Sequence, residues 1–162
     1  MDLLKVFLRI ILFFPIVWIA FFLTTTIHET GHMIGYLLCA KKRATNWHII
    51  AGRGRQLMRI GRLIICLIPW WGSFRLAESN SVLSKKTALI TLAGGPTVSL
   101  LMTIALLVIH KFILADELIA FMFYCNLSQF VFTVIPLRYP AWLSAITESD
   151  GLQILRLLKK SK

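Results

Sequence analysis

The residues best suited to chemistry lie close together: Ile27-His28-Glu29-Thr30-Gly31-His32-Met33, an H-E-x-x-H set inside an apolar run. On a helix, His28 and His32 share one face a single turn apart, roughly 6 Å. That spacing lets two imidazole nitrogens reach one tetrahedral Zn²⁺. Glu29 falls beside them, where a carboxylate can hold and deprotonate a water at the metal. The bland alternative is a chance match on a soluble helix. The flanks argue against it, because Ile10–Ile27 and Met33–Ala40 carry no Asp, Glu, Lys or Arg. Ionisable groups inside such a span are expensive and default to a functional reading.

The elements that must position these residues are membrane spans. A 162-residue chain with a mean hydropathy of +0.76 is not an ordinary soluble domain,. Three stretches reach bilayer length, at about 6–40, 87–114 and 118–137. The expected fold is an all-α polytopic membrane protein with three core transmembrane helices. A small membrane-associated β-strand region follows the first of them. The whole chain, 1–162, reads as one domain. The first stretch is too long for a signal peptide and reads as a retained anchor, either tilted or starting near Pro15.

The net charge of +11 sits beside the apolar spans and not along a groove, so it points to an anionic leaflet and away from nucleic acid,. The region at about 41–86 is rich in Lys and Arg, with Glu78 its one acid, and the positive-inside rule places it in the cytoplasm,. Three spans then leave the N-terminus outside and the C-terminus inside, in a multi-pass cell-membrane protein. Residues 47–69 read as short strands broken by glycines. Leu63–Gly72 suits a strand or loop dipping into the interface, with Trp47, Trp70 and Trp71 at headgroup level. Arg53, Arg55, Arg59 and Arg62 read as a basic patch facing lipid, with a substrate-binding role as the alternative. Cys39, Cys66 and Cys125 are odd in number and far apart, which favours apolar filler over a disulfide framework,.

In the second span, Ala93-Gly94-Gly95-Pro96 would let a neighbouring helix approach closely. In the third, Asn126, Gln129 and Thr133 form a polar stripe that should face protein, with Asn126 the candidate for an added catalytic hydrogen-bond donor. A catalytic zinc needs a third protein ligand, and Asp150, Glu148, His48 and Glu78 are available. Asp150 is a good N-cap for the last, amphipathic helix of the 138–162 region. It is also the better ligand, since Gly151 would allow a sharp turn that presents the carboxylate.

Taken in order, His28-Glu29-Thr30-Gly31-His32, Ala93-Gly94-Gly95-Pro96 and Ser149-Asp150-Gly151-Leu152-Gln153-Ile154-Leu155 resemble the site-2 protease family of intramembrane zinc metalloproteases. Gly52-Arg53-Gly54 and Ile68-Pro69-Trp70-Trp71-Gly72 resemble its membrane-associated strands. The resemblance implies one Zn²⁺ on His28, His32 and Asp150, with Glu29 as base. It implies a transmembrane protein or peptide as substrate, with regulation left to partners or substrate supply. Ser99 stands where that family often carries Asn, and Thr133 or Asn126 where it carries another. The alternatives are a zinc-bearing membrane scaffold that does not cleave, against which Glu29 argues, and a metal-ion transporter. A transporter would need polar residues along several spans, and only the third offers them.

Overall fold

The computed structural model describes residues 3–39, 47–76, 83–140 and 147–159. Lys41–Arg43, Glu78, Lys160 and Lys162 lie outside the described residues. The element order is α1 (Leu3–Cys39), β1 (Trp47–Ile60), β2 (Leu63–Leu76), α2 (Lys85–Phe112), α3 (Glu117–Val134) and α4 (Asp150–Lys159).

Among the described residues, three helices are long and apolar enough to cross a membrane: Ile11–Cys39 within α1, Lys85–Phe112 and Glu117–Val134. Their packing inverts that of a soluble protein. Thr24, Thr25, His28, Glu29, His32, Ser99, Thr103 and Asn126 are buried, while Leu12, Phe14, Leu101 and Phe132 face outward. Hydrocarbon tolerates that outer surface, and most of the polar groups find partners within the bundle, Asn126 Oδ1 excepted,. The helix α1 is continuous through Pro15 and does not start there. At 37 residues it is about 55 Å long, so tilt or protrusion must absorb the excess,. The starts of α2 and α3 are capped. Ser84 Oγ accepts from the Thr87 N–H at 3.1 Å, and Asp116 Oδ1 from the Leu118 N–H at 2.8 Å,.

Small residues set the distance between α1 and α2. A Cβ on Gly31 would strike the backbone of Gly94, and one on Gly94 would strike that of Gly31. Gly35 lies equally close to Ile90. Without a hydrophobic drive between spans in lipid, this close approach is what brings van der Waals contact and polar groups into range.

Residues 47–76 form two long antiparallel strands, not short ones broken by glycines. Gly52 and Gly54 have φ of +95° and +84° and bend β1 while the ladder continues,. Ile49–Ala51 therefore lies beside Ser73 and Phe74 on one side and Leu63–Ile65 on the other. The strand β2 runs along α1. Trp18 Nε1 donates to the Leu67 carbonyl at 2.8 Å, and Thr25 Oγ1 to the Pro69 carbonyl at 2.9 Å. Trp71 packs edge-on against Tyr139 at 5.3 Å, and Trp47 lies under the Arg62 guanidinium at 4.6 Å. Both rings have protein partners. The Trp70 side chain is outside the described set.

Candidate metal centre

Helical spacing places the His28 and His32 rings together on the face of α1 that meets α2, with their Nε2 atoms 3.1 Å apart. The N-terminus of α4 brings Asp150 to the same point. Its Oδ2 lies 3.2 Å from His28 Nε2 and 3.5 Å from His32 Nε2. Three ligands about 2.0–2.1 Å from a tetrahedral zinc are separated from one another by about 3.3 Å. The observed triangle has that size. Asp150 Oδ2 is buried with no hydrogen-bond partner, an orphan a cation would satisfy,. Burial opposes charge on Asp150, but the facing His28 and His32 imidazoles, while protonated, outweigh it and hold the carboxyl at about 2, and a bound cation would supply the same positive charge beside neutral rings,. Asp150 is a carboxylate at neutral pH, as a metal ligand must be.

Glu29 is buried beside the triangle, and its carboxylate lies within 4.8 Å of a ring nitrogen of each of His28 and His32. His28, Glu29 and His32 are thus a buried set that can hold a metal ion. Gly72 of β2 presses against the Glu29 side chain, and a Cβ there would come within 2.7 Å of it. The far side of each imidazole is also tied. His32 Nδ1 lies 2.8 Å from the Thr91 carbonyl and His28 Nδ1 2.9 Å from Ser99 Oγ.

No protein-family model and no curated protein matches this sequence. The likeness to site-2 proteases therefore stands on the ordered motifs alone.

The presentation of Asp150 differs from expectation. Ser149 caps α4, and its hydroxyl also donates to the Ile135 carbonyl at 2.7 Å and accepts from the Leu137 N–H at 3.0 Å. Gly151 is helical and makes no left-handed turn. It is needed because a Cβ would strike the Val134 carbonyl at the end of α3. Of the other ligand candidates, Glu148 pairs with Arg156, and His48 sits in the sheet opposite Arg75.

The triangle opens into a cavity of about 780 Å³ walled by Phe21 and Thr25 of α1, Trp71 and Gly72 of β2, and Ser128, Gln129, Phe132 and Thr133 of α3. The expected stripe divides here. Gln129 and Thr133 line the cavity, whereas Asn126 is wholly buried outside its wall and donates from Nδ2 to the Met122 carbonyl at 3.1 Å. The helix α3 is rotated so that one edge of the stripe, not its centre, faces the site. Tyr139 also lines the cavity. Burial and then the charge on Asp150 push its phenol up to about 12, so it stays a neutral donor, here to the Phe132 carbonyl at 2.7 Å.

Beneath the ligands lies Gly95, where a Cβ would collide with His32 Nε2 and come within 2.8 Å of His28 Cε1. Close packing and site shape are here one requirement. Gly95→Ala should displace both rings and cost about 1–3 kcal/mol through overpacking. A thermal melt together with a zinc titration would check this, and unchanged affinity would show that the rings can move aside.

Proposed function

We propose that this protein is an intramembrane zinc metalloprotease that hydrolyses a peptide bond in or near a transmembrane segment. The observation that carries this reading is the metal-sized triangle of His28, His32 and Asp150 with Glu29 at its side, opening into a cavity between spans. The resemblance of the ordered motifs to those of site-2 proteases is in keeping with it. A zinc ion held by His28, His32 and Asp150 would supply Lewis acidity and a water acidified toward neutral pH.

The remaining chemistry belongs to the chain. Glu29 accepts the proton of the attacking water on its carboxylate and returns it to the leaving amide nitrogen. Its burial beside Gly72 fixes it on the side facing the cavity. Phe21 and Phe132 give the cavity an apolar approach from the bilayer, between α1 and α3, for a lateral substrate. A helical substrate hides its carbonyls in i→i−4 bonds and must unwind locally, so glycine or proline near the cut favours reaction. The unwound segment can lie alongside β2 and be held by backbone hydrogen bonds.

The basic 41–86 region orients the protein with its N-terminus outside and its C-terminus in the cytoplasm of a cell membrane. The test is to reconstitute the purified protein with zinc and a designed transmembrane peptide carrying a Gly-Pro break. The cut bond is then mapped by mass spectrometry. Cleavage should fall in the cytoplasmic third of the span and disappear on chelation. A cut near the outer surface would invert the topology, and chelator-resistant cleavage would remove the metal from the reaction.

A further inference from the structure

We infer that Ser99 is a positioning residue for the metal centre, holding His28 in the tautomer and ring orientation that turn its Nε2 toward Asp150 and His32. This rests on the metal-binding part of the reading above and not on proteolysis.

The two histidines are secured differently. The partner of His32 Nδ1 is the Thr91 carbonyl, which can only accept, so that nitrogen carries the proton and Nε2 of the neutral ring is bare,. His28 has no carbonyl in that position. Its Nδ1 meets the Ser99 hydroxyl at 2.9 Å. Ser99 is wholly buried, and His28 is nearly so. If the Nδ1 proton of His28 had no acceptor in that dry contact, this tautomer would leave a buried donor unsatisfied. The competing tautomer would put a proton on Nε2, inside the triangle, where it blocks a cation. With Ser99 Oγ accepting, His28 Nε2 is bare like that of His32, and all three converging atoms offer lone pairs. Such outer partners fix the tautomer and the ring plane of ligating histidines.

The surrounding helix face is arranged around this contact. Thr91, Gly95, Ser99 and Thr103 recur every fourth residue along α2 and are all buried. Thr91 holds one ring, Gly95 leaves room for both, and Ser99 holds the other. Thr103 only bonds back to the Ser99 carbonyl at 2.8 Å. It therefore serves as a packing control on the same face that touches neither imidazole.

The experiment is a competition titration of detergent-purified, metal-stripped protein with Zn²⁺ and a chromophoric chelator, repeated with Co²⁺ to read its visible bands. Ser99→Ala should bind Zn²⁺ about 10- to 100-fold more weakly and alter the Co²⁺ spectrum. Thr103→Ala should stay within about twofold of wild type, since it leaves both outer partners in place. Equal affinity in Ser99→Ala and wild type overturns the proposal, and so does an equal loss in Thr103→Ala. A wild-type protein that takes up no Zn²⁺ refutes the metal centre itself, and the role of Ser99 with it. Should Ser99→Ala fail to fold, nitrogen-15 spectra of zinc-loaded wild type decide the matter. The His28 Nδ1 proton should be visible and slow to exchange with solvent, and a fast-exchanging one overturns the proposal.

Discussion

Glu29→Gln should lower peptide cleavage about 10²- to 10⁴-fold while leaving the zinc content unchanged. Glutamine matches the size of glutamate, which matters because Gly72 presses directly on this side chain. It keeps the helix and the buried polar contact but cannot take a proton from water. The histidines and Asp150 approach one another more closely than Glu29 must, so the metal should not depend on Glu29. Cleavage of a designed transmembrane peptide, set beside metal analysis of the same preparation, separates the two effects. A variant that replaces wild type fully in the cell, with its zinc intact, would favour a zinc-bearing membrane scaffold over an enzyme.

Asp150→Ala should remove the metal as well as the activity. It deletes one of three ligands, so its loss of zinc affinity should exceed the roughly 100-fold typical of losing an outer partner. The effect should also appear as stability. A ligand present at 100 times its dissociation constant stabilises the folded state by about 2.7 kcal/mol. Zinc should therefore raise the melting temperature of wild type and have little effect on Asp150→Ala. Glu148→Ala is the matching control. Glu148 lines the same cavity, but it pairs with Arg156 and not with the histidines. A zinc-dependent melt that survives in Asp150→Ala and vanishes in Glu148→Ala would exchange the two carboxylates.

The parts of the site legible in the sequence are those fixed by local geometry. His28 and His32 share a face because they are four residues apart on a helix, whatever surrounds them. The three spans follow from apolar length, and the observed helices keep close to the expected limits,. Asp150 is less legible, since several acids and histidines could supply a third ligand and only the ordered motifs favour it. The role of Gly151 is not legible in the sequence. A glycine after an acidic residue suggests a turn, but the need comes from the Val134 carbonyl in another helix. Gly52 and Gly54 likewise look like strand breakers, and only the pairing on both sides of Ile49–Ala51 identifies them as bends,. Whether Asn126 or Thr133 reaches the cavity depends on the rotation of α3 about its axis, which a stripe of polar residues does not fix. The outer partners had a signal that went unused. Thr91, Gly95 and Ser99, small or polar at every fourth position of an apolar span, trace the face that holds the histidine rings, and Thr103 continues the pattern beyond them.

The triangle also joins residues made at very different times. His32 and Asp150 are separated by 118 positions in the chain. At ribosomal speeds of about 5–20 residues per second, the third ligand is synthesised on the order of ten seconds after the second. Throughout that interval α1 is already available to the bilayer, yet its histidines lack the carboxylate that completes the set. If the protein is the protease proposed above, a half-made chain would be inactive while neighbouring nascent proteins are being inserted. On the proposed reading, hydrolytic capacity would arrive only once α4 has docked at the end of α3.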